Sequence, residues 1–129
     1  ARARAEMAVQ EKPPRKSGVA HFFAAAGYSL GGLKRLSRES AFRQEVVLIA
    51  VLLVLFLALG ATLPEVLGLL ALGLLLVAVE ALNTAIEVLV DHLSPGWSSW
   101  AKDAKDLGSL AVACTIGLVL IYAGVVLIW

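Results

Sequence analysis

Apolar positions dominate three parts of this chain, and the polar positions that interrupt them are unevenly placed. Residues 46–63 form an 18-residue run without a charge, and residues 107–129 form one of 23. Each can cross a hydrocarbon core of roughly 30 Å at about 1.5 Å per residue. Between them, residues 64–93 are long enough for a third crossing, but only the first half is clean. Fourteen uncharged residues, 66–79, give way to Glu80, Asn83, Glu87 and Asp91. Ahead of the spans, "VAHFFAAAGYSLGGLKRLS" (19–37) repeats apolar residues at helical spacing and ends on basic ones, which predicts an amphipathic helix lying at a membrane surface. The pattern therefore predicts an all-α integral membrane fold. A flexible basic leader (1–18) precedes one membrane-embedded domain (19–129), with a surface helix at about 19–37 and spans at about 42–62, 64–93 and 104–129.

Composition agrees, since 60% of the 129 residues are hydrophobic, too many for a soluble domain of this size. None of the runs reads as a cleaved signal peptide, because the first begins near residue 46 behind a long charged segment. The single cysteine, Cys114, excludes an intramolecular disulfide and reads as a packing residue within the last run. Net charge is only +1, but nine of the eleven Lys and Arg lie in residues 1–45 and the other two, Lys102 and Lys105, lie between the second and third spans. By the positive-inside rule the N-terminus and the 94–106 loop face the cytoplasm, and the C-terminus faces outward, which in a bacterial inner membrane would be the periplasmic side. Trp97 and Trp100 then read as interfacial anchors.

The polar stripe of the second span carries the chemistry. At about 100° per residue from Glu80, Thr84 falls near +40°, Asn83 near −60°, Glu87 near −20° and Asp91 near +20°. All five share one arc. A carboxylate at the centre of a span costs about 2.5–3.5 kcal/mol, so such groups mark sites of function by default. Asp91 and Glu87 lie toward the cytoplasmic end and Glu80 deeper, like one wall of a cleft open to the inside. "RESAFRQE" (38–45) adds Glu39, Arg43, Gln44 and Glu45 at the entrance to the first span. "AKDLGS" (104–109) adds Lys105, Asp106 and Ser109 at the entrance to the third. A small cation-conducting oligomer is one reading, but spans one and three offer no charged groups in the outer half. Carboxylates for a divalent metal, cations for phosphates and one deeper carboxylate suit phosphoryl transfer to a lipid, where positioning and charge neutralisation dominate.

At these residues the chain resembles the bacterial integral-membrane diacylglycerol kinases. "AAGYS" (25–29), "AFRQE" (41–45), "EALNTAIEVLVD" (80–91) and "AKDLGS" (104–109) occur in order and with near-family spacing over about residues 20–129. The resemblance implies a homotrimer of three-span subunits with shared active sites in the bacterial inner membrane. It implies an enzyme that moves the γ-phosphate of MgATP to diacylglycerol, with Mg²⁺ as the cofactor, membrane lipids as surroundings and no nucleic-acid polymer as partner. Glu80 would be the catalytic base, supported by Asn83 and Asp91. Glu39 and Glu87 would hold the metal. His21, Tyr28, Glu39, Glu87, Lys105 and Asp106 would contact ATP. The lipid substrate would lie against Ala25, Ala26, Gly27, Tyr28, Ser29, Ala41, Phe42, Arg43, Gln44, Glu45, Glu80 and Ser109.

Three positions depart from the family pattern. His21 stands where a basic nucleotide contact is expected, Ala24 where a lysine is expected, and "SPGWSSW" (94–100) replaces a more charged loop. Arg15 and Lys16 are alternative sources of the missing charge. Related undecaprenol kinases share much of the same pattern, so undecaprenol is the rival lipid, although "AFRQE" is closer to the diacylglycerol branch. A non-catalytic packing subunit is the third reading.

Overall fold

The computed structural model describes residues 11–129, and the N-terminal part of the expected leader, 1–10, lies outside them. Four α-helices follow: α1 (Gly18–Leu36), α2 (Ser40–Ala58), α3 (Leu63–Leu93) and α4 (Ser99–Ile128). The chain divides into two compact units, one closing at Gly31 and the other running from Gly32 to Trp129. In the first, residues 11–17 are irregular and lead into α1. In the second, α2, α3 and α4 are each long and apolar enough to cross a membrane.

The α2–α3 turn shows how local chemistry sets the element ends. The Ala61 amide donates to the Phe56 carbonyl at 2.9 Å and the Gly60 amide to the Leu57 carbonyl at 3.4 Å, the paired bonds of a Schellman motif. Gly60 sits at φ +76°, where only a residue without a Cβ is at ease. The helix therefore stops at Ala58, short of the boundary near 62 suggested by hydrophobicity alone. Two residues later Thr62 starts α3 through a capping box: its hydroxyl accepts from the Glu65 amide at 3.4 Å, and the Glu65 carboxylate accepts from the Thr62 amide at 2.8 Å. Pro64 in the first turn suits φ and removes a donor that would have no partner.

At the other end of the bundle, α4 begins at Ser99, five residues before the expected start of the third span. Lys102 and Asp106 form an i,i+4 ion pair at 2.5 Å, which favours helix over the charged stretch before the apolar run begins. With 31 residues, α3 is roughly 46 Å long, so it outruns a 30 Å hydrocarbon core by several turns.

The α3–α4 pair packs most extensively, and α2 lies mainly against α3. Leu52 and Phe56 of α2, Leu69 of α3, and Val119 and Ala123 of α4 form the core. Gly68 gives up a side chain to Tyr122, whose hydroxyl occupies the space a Cβ would need and donates to the Glu65 carbonyl at 2.7 Å. This polar anchor ties α4 to the first turn of α3, where a lone phenol in an apolar core would be costly. The arrangement leaves the far half of α3, with its polar stripe, between α2 and α4.

Candidate active site

Glu80, Asn83 and Thr84 on α3 are buried, 3%, 8% and 5% exposed, in a helix whose other faces are leucine, valine and alanine. Helical periodicity puts them on one side, and tertiary packing then sets Glu80 and Asn83 against different neighbours. Glu80 faces Glu45 of α2 closely enough for the two carboxyl groups to interact, and Glu45 is itself only 7% exposed. Asn83 lies against Gly108 of α4, and its Oδ1 occupies the space that a Cβ there would fill. Its amide Nδ2 donates to Oε1 of Glu87 at 3.3 Å, one turn further along. Beyond that, Asp91 accepts from Lys105 of α4 at 2.5 Å, an exposed pair that joins the ends of the two helices.

The stripe thus grades from buried at Glu80, through half-buried Glu87, to exposed Asp91. Four buried side-chain oxygens in this layer have no hydrogen-bond partner among the described residues: Glu45 Oε2, Glu80 Oε2, Asn83 Oδ1 and Thr84 Oγ1. Buried polar atoms of native proteins are nearly always satisfied, so four together in one layer point to a place built for something else to bind.

Other predicted residues are engaged differently. Glu39 accepts from Arg35 at 2.6 Å, and Arg43 donates to the Ser37 carbonyl at 3.5 Å. Asp106 pairs with Lys102 of its own helix, while Gln44, Ala41 and Ser109 are exposed. Phe42 is buried and joins Glu45, Val46, Ile49 and Leu53 of α2 in lining an apolar groove of about 510 Å³, closed on the α3 side by Leu70, Gly73 and Val77. In the first unit, Ala25, Ala26, Gly27, Tyr28 and Ser29 are exposed on α1, and the Ser29 hydroxyl donates to the Ala25 carbonyl at 3.1 Å. His21, Ala24 and Tyr28 share a cavity of about 710 Å³ with Lys12, Arg15 and Lys16.

One participant escaped the sequence reading, and another was placed on the arc without being given a role. Gly108 sits one helical turn after Lys105, and a residue without a side chain is how one membrane helix lets another approach closely. Thr84 lies on the polar arc and is buried beside Glu80, but a hydroxyl alone carries little signal among so many acids. Arg35 and Lys102 were visible only as charge, and their partners emerge from i,i+4 geometry.

A buried acid pair can hold or accept a proton, and the graded carboxylates beyond it can meet water-borne cations. Among the described residues no three His, Cys, Asp or Glu side chains gather into a metal cage. Magnesium, however, is ordinarily held by one or two carboxylates together with phosphate oxygens and water. Glu39, paired with Arg35, and Glu87, which accepts from Asn83, are hard oxygen donors outside the most buried layer.

Three membrane-length helices with paired acids buried between them define a multi-pass membrane protein with a built polar site. Known proteins narrow that class. The sequence pattern of the prokaryotic diacylglycerol kinase family matches residues 27–127. A diacylglycerol kinase of Sinorhizobium sp is 47% identical over 115 residues, covering 89% of this chain and 84% of the relative. The diacylglycerol kinase of Helicobacter pylori is 42% identical over 103 residues, covering 78% and 80%. That of Escherichia coli K12 is 38% identical over 116 residues, covering 88% and 93%. The chain belongs to the prokaryotic diacylglycerol kinase family and is a lipid kinase of that kind.

Proposed function

We propose that this protein transfers the γ-phosphate of ATP to diacylglycerol, producing phosphatidic acid at the cytoplasmic face of the bacterial inner membrane. The observation that carries this reading is the buried polar layer around Glu80, with its unpartnered oxygens, in a helix otherwise made for lipid. A water-borne reagent and a lipid hydroxyl can meet only where such a layer opens toward water.

In the proposed reaction the lipid hydroxyl oxygen attacks the γ-phosphorus, the bond to the bridging oxygen breaks and ADP leaves. Glu80 accepts the hydroxyl proton, a role suited to a carboxylate shielded from water. Asn83 and Asp91 support the stripe, Asn83 by holding Glu87 and Asp91 by holding Lys105. Glu39 and Glu87 are the proposed Mg²⁺ ligands, and the cation, when bound, would neutralise phosphate charge. Lys105, Asp106, Tyr28 and His21 are the proposed nucleotide contacts. Ala25, Ala26, Gly27, Tyr28, Ser29, Ala41, Arg43, Gln44 and Ser109 are proposed to guide the lipid. The apolar groove that runs from Phe42 and Glu45 along α2 and α3 supports an acyl chain at that level.

The same reading places the N-terminus and the 94–106 segment, which carries Lys102 and Lys105, in the cytoplasm and α1 along the membrane surface, because the basic residues cluster there. It takes the active unit to be a homotrimer with shared sites. Ala71, Ala78 and Ala85, exposed and spaced seven residues apart on α3, support close helix approach between subunits. The test is transfer of labelled γ-phosphate from ATP by the purified protein in mixed micelles, offering diacylglycerol and undecaprenol in parallel. Labelled phosphatidic acid is expected. Transfer to undecaprenol alone would replace the acceptor, and proton flux through liposomes without ATP turnover would replace the reading altogether.

A further inference from the structure

We propose that Glu45 is a positioning residue for Glu80, the two side chains forming a buried acid pair that shares one proton and leaves an oxygen of Glu80 free for the lipid hydroxyl. The inference rests on the reading of Glu80 as the base and adds a distinct role for Glu45 beyond lining the lipid site.

Three observations support it. Both side chains are more than nine-tenths buried, on different helices, and face one another. The Oε2 atom of each has no hydrogen-bond partner among the described residues. Among the described residues no cation pairs with either. The charged groups on the elements packed around the pair are all engaged elsewhere or lie nearer the surface. On α2 and its approach, Arg35 is paired with Glu39, and exposed Arg43 donates to the Ser37 carbonyl. On α3, Glu87 accepts from Asn83 and Asp91 from Lys105. On α4, Lys102 is paired with Asp106, and Asp103 is exposed.

Two facing carboxylates without a counter-charge cannot both remain ionised in such a setting, whereas one proton between them converts repulsion into a charge-assisted hydrogen bond. That bond fixes one oxygen of Glu80 and leaves the other to receive a hydrogen. During transfer the substrate O–H bond breaks, a Glu80 O–H bond forms, and the oxygen–phosphorus bond forms as ADP departs. The pair passes from one proton to two, then releases one to solvent. At no stage does it carry two negative charges. Packing alone needs no ionisable group at this depth, and a simple lipid contact would not need burial against a second acid.

The test combines spectroscopy with kinetics. Infrared spectra of the full-length wild-type protein in lipid at neutral pH, with and without ¹³C-labelled glutamate, should show a glutamic-acid carbonyl band that moves with the label. Glu45→Gln and Glu80→Gln should each abolish it. Glu45→Gln should also lower kcat about ten- to a hundredfold while lipid KM stays within about twofold, since the loss is one of alignment. A wild-type spectrum without the band would overturn the pair, as would a band that survives both substitutions. A Glu45→Gln enzyme with unchanged kcat and raised lipid KM would make Glu45 a lipid contact only. The infrared signal requires no turnover, so a wild-type protein that shows the band but transfers no phosphate would count against the kinase reading and not against the shared proton.

Discussion

At the scale of single residues, the tasks proposed for neighbouring polar positions on α3 are separable because Glu80, Asn83 and Asp91 face different neighbours. Glu80→Gln should reduce phosphoryl transfer by at least about a hundredfold, the usual worth of a positioned base, while MgATP binding measured by calorimetry stays largely intact. Glu87→Gln should instead raise the Mg²⁺ and ATP concentrations needed for half-maximal rate. An unchanged Mg²⁺ dependence would contradict its role as a metal ligand. Gly108 gives a subtler test. A methyl group there would meet Asn83 Oδ1, the far end of a side chain that can rotate away. Gly108→Ala should therefore cost little stability, under about 1 kcal/mol, because the side chain yields more readily than a backbone would. Rotation would carry the Asn83 amide away from Glu87, so activity should fall at least about tenfold, as expected when a positioned group is displaced. Equal losses of stability and activity would show that Gly108 is only a packing position.

The elements obey local rules wherever their ends are set by backbone hydrogen bonding. Gly60 closes α2 with a left-handed residue, and Thr62 opens α3 two residues later with Glu65 completing its capping box, so the hairpin between the two helices is set locally. Gly60→Val would force a β-branched side chain into positive φ, costing about 1–2 kcal/mol. A lowered midpoint of unfolding in mixed micelles, with the helix content of the folded form unchanged, is the expected outcome. Hydrophobicity alone points to three membrane-length helices, but the helix ends follow local chemistry and not the limits of the apolar runs. The apolar run continues past Gly60, and the charged turn before the third run is helical because Lys102 and Asp106 satisfy one another. The exposed pair Lys105–Asp91 links α3 to α4 in the same region, but its solvent-facing position makes it a poor source of stability.

For the whole molecule, association in lipid cannot rely on burying apolar surface, because acyl chains solvate leucine as well as another helix does. Leu67, Leu74 and Leu82 are exposed on α3, and Ala71, Ala78 and Ala85 alternate with them. Proposed sharing of sites between subunits predicts that phosphoryl transfer tracks the trimer. Dilution into a monomerising detergent, followed by sedimentation and assay of the same samples, should remove activity together with trimers. Full activity in verified monomers would overturn shared sites.

The sequence by itself determined the number of spans, the basic N-terminal side and the alignment of Glu80, Asn83, Glu87 and Asp91 on one face. Hydrophobic run length, charge asymmetry and the 3.6-residue period are local quantities, readable without contacts. Only the tertiary structure decided what that face meets: Glu45 opposite Glu80, Gly108 under Asn83, Lys105 across from Asp91. Those partners lie between 14 and 35 positions apart in the chain, and periodicity says which residues share a face without saying which helix will pack against it.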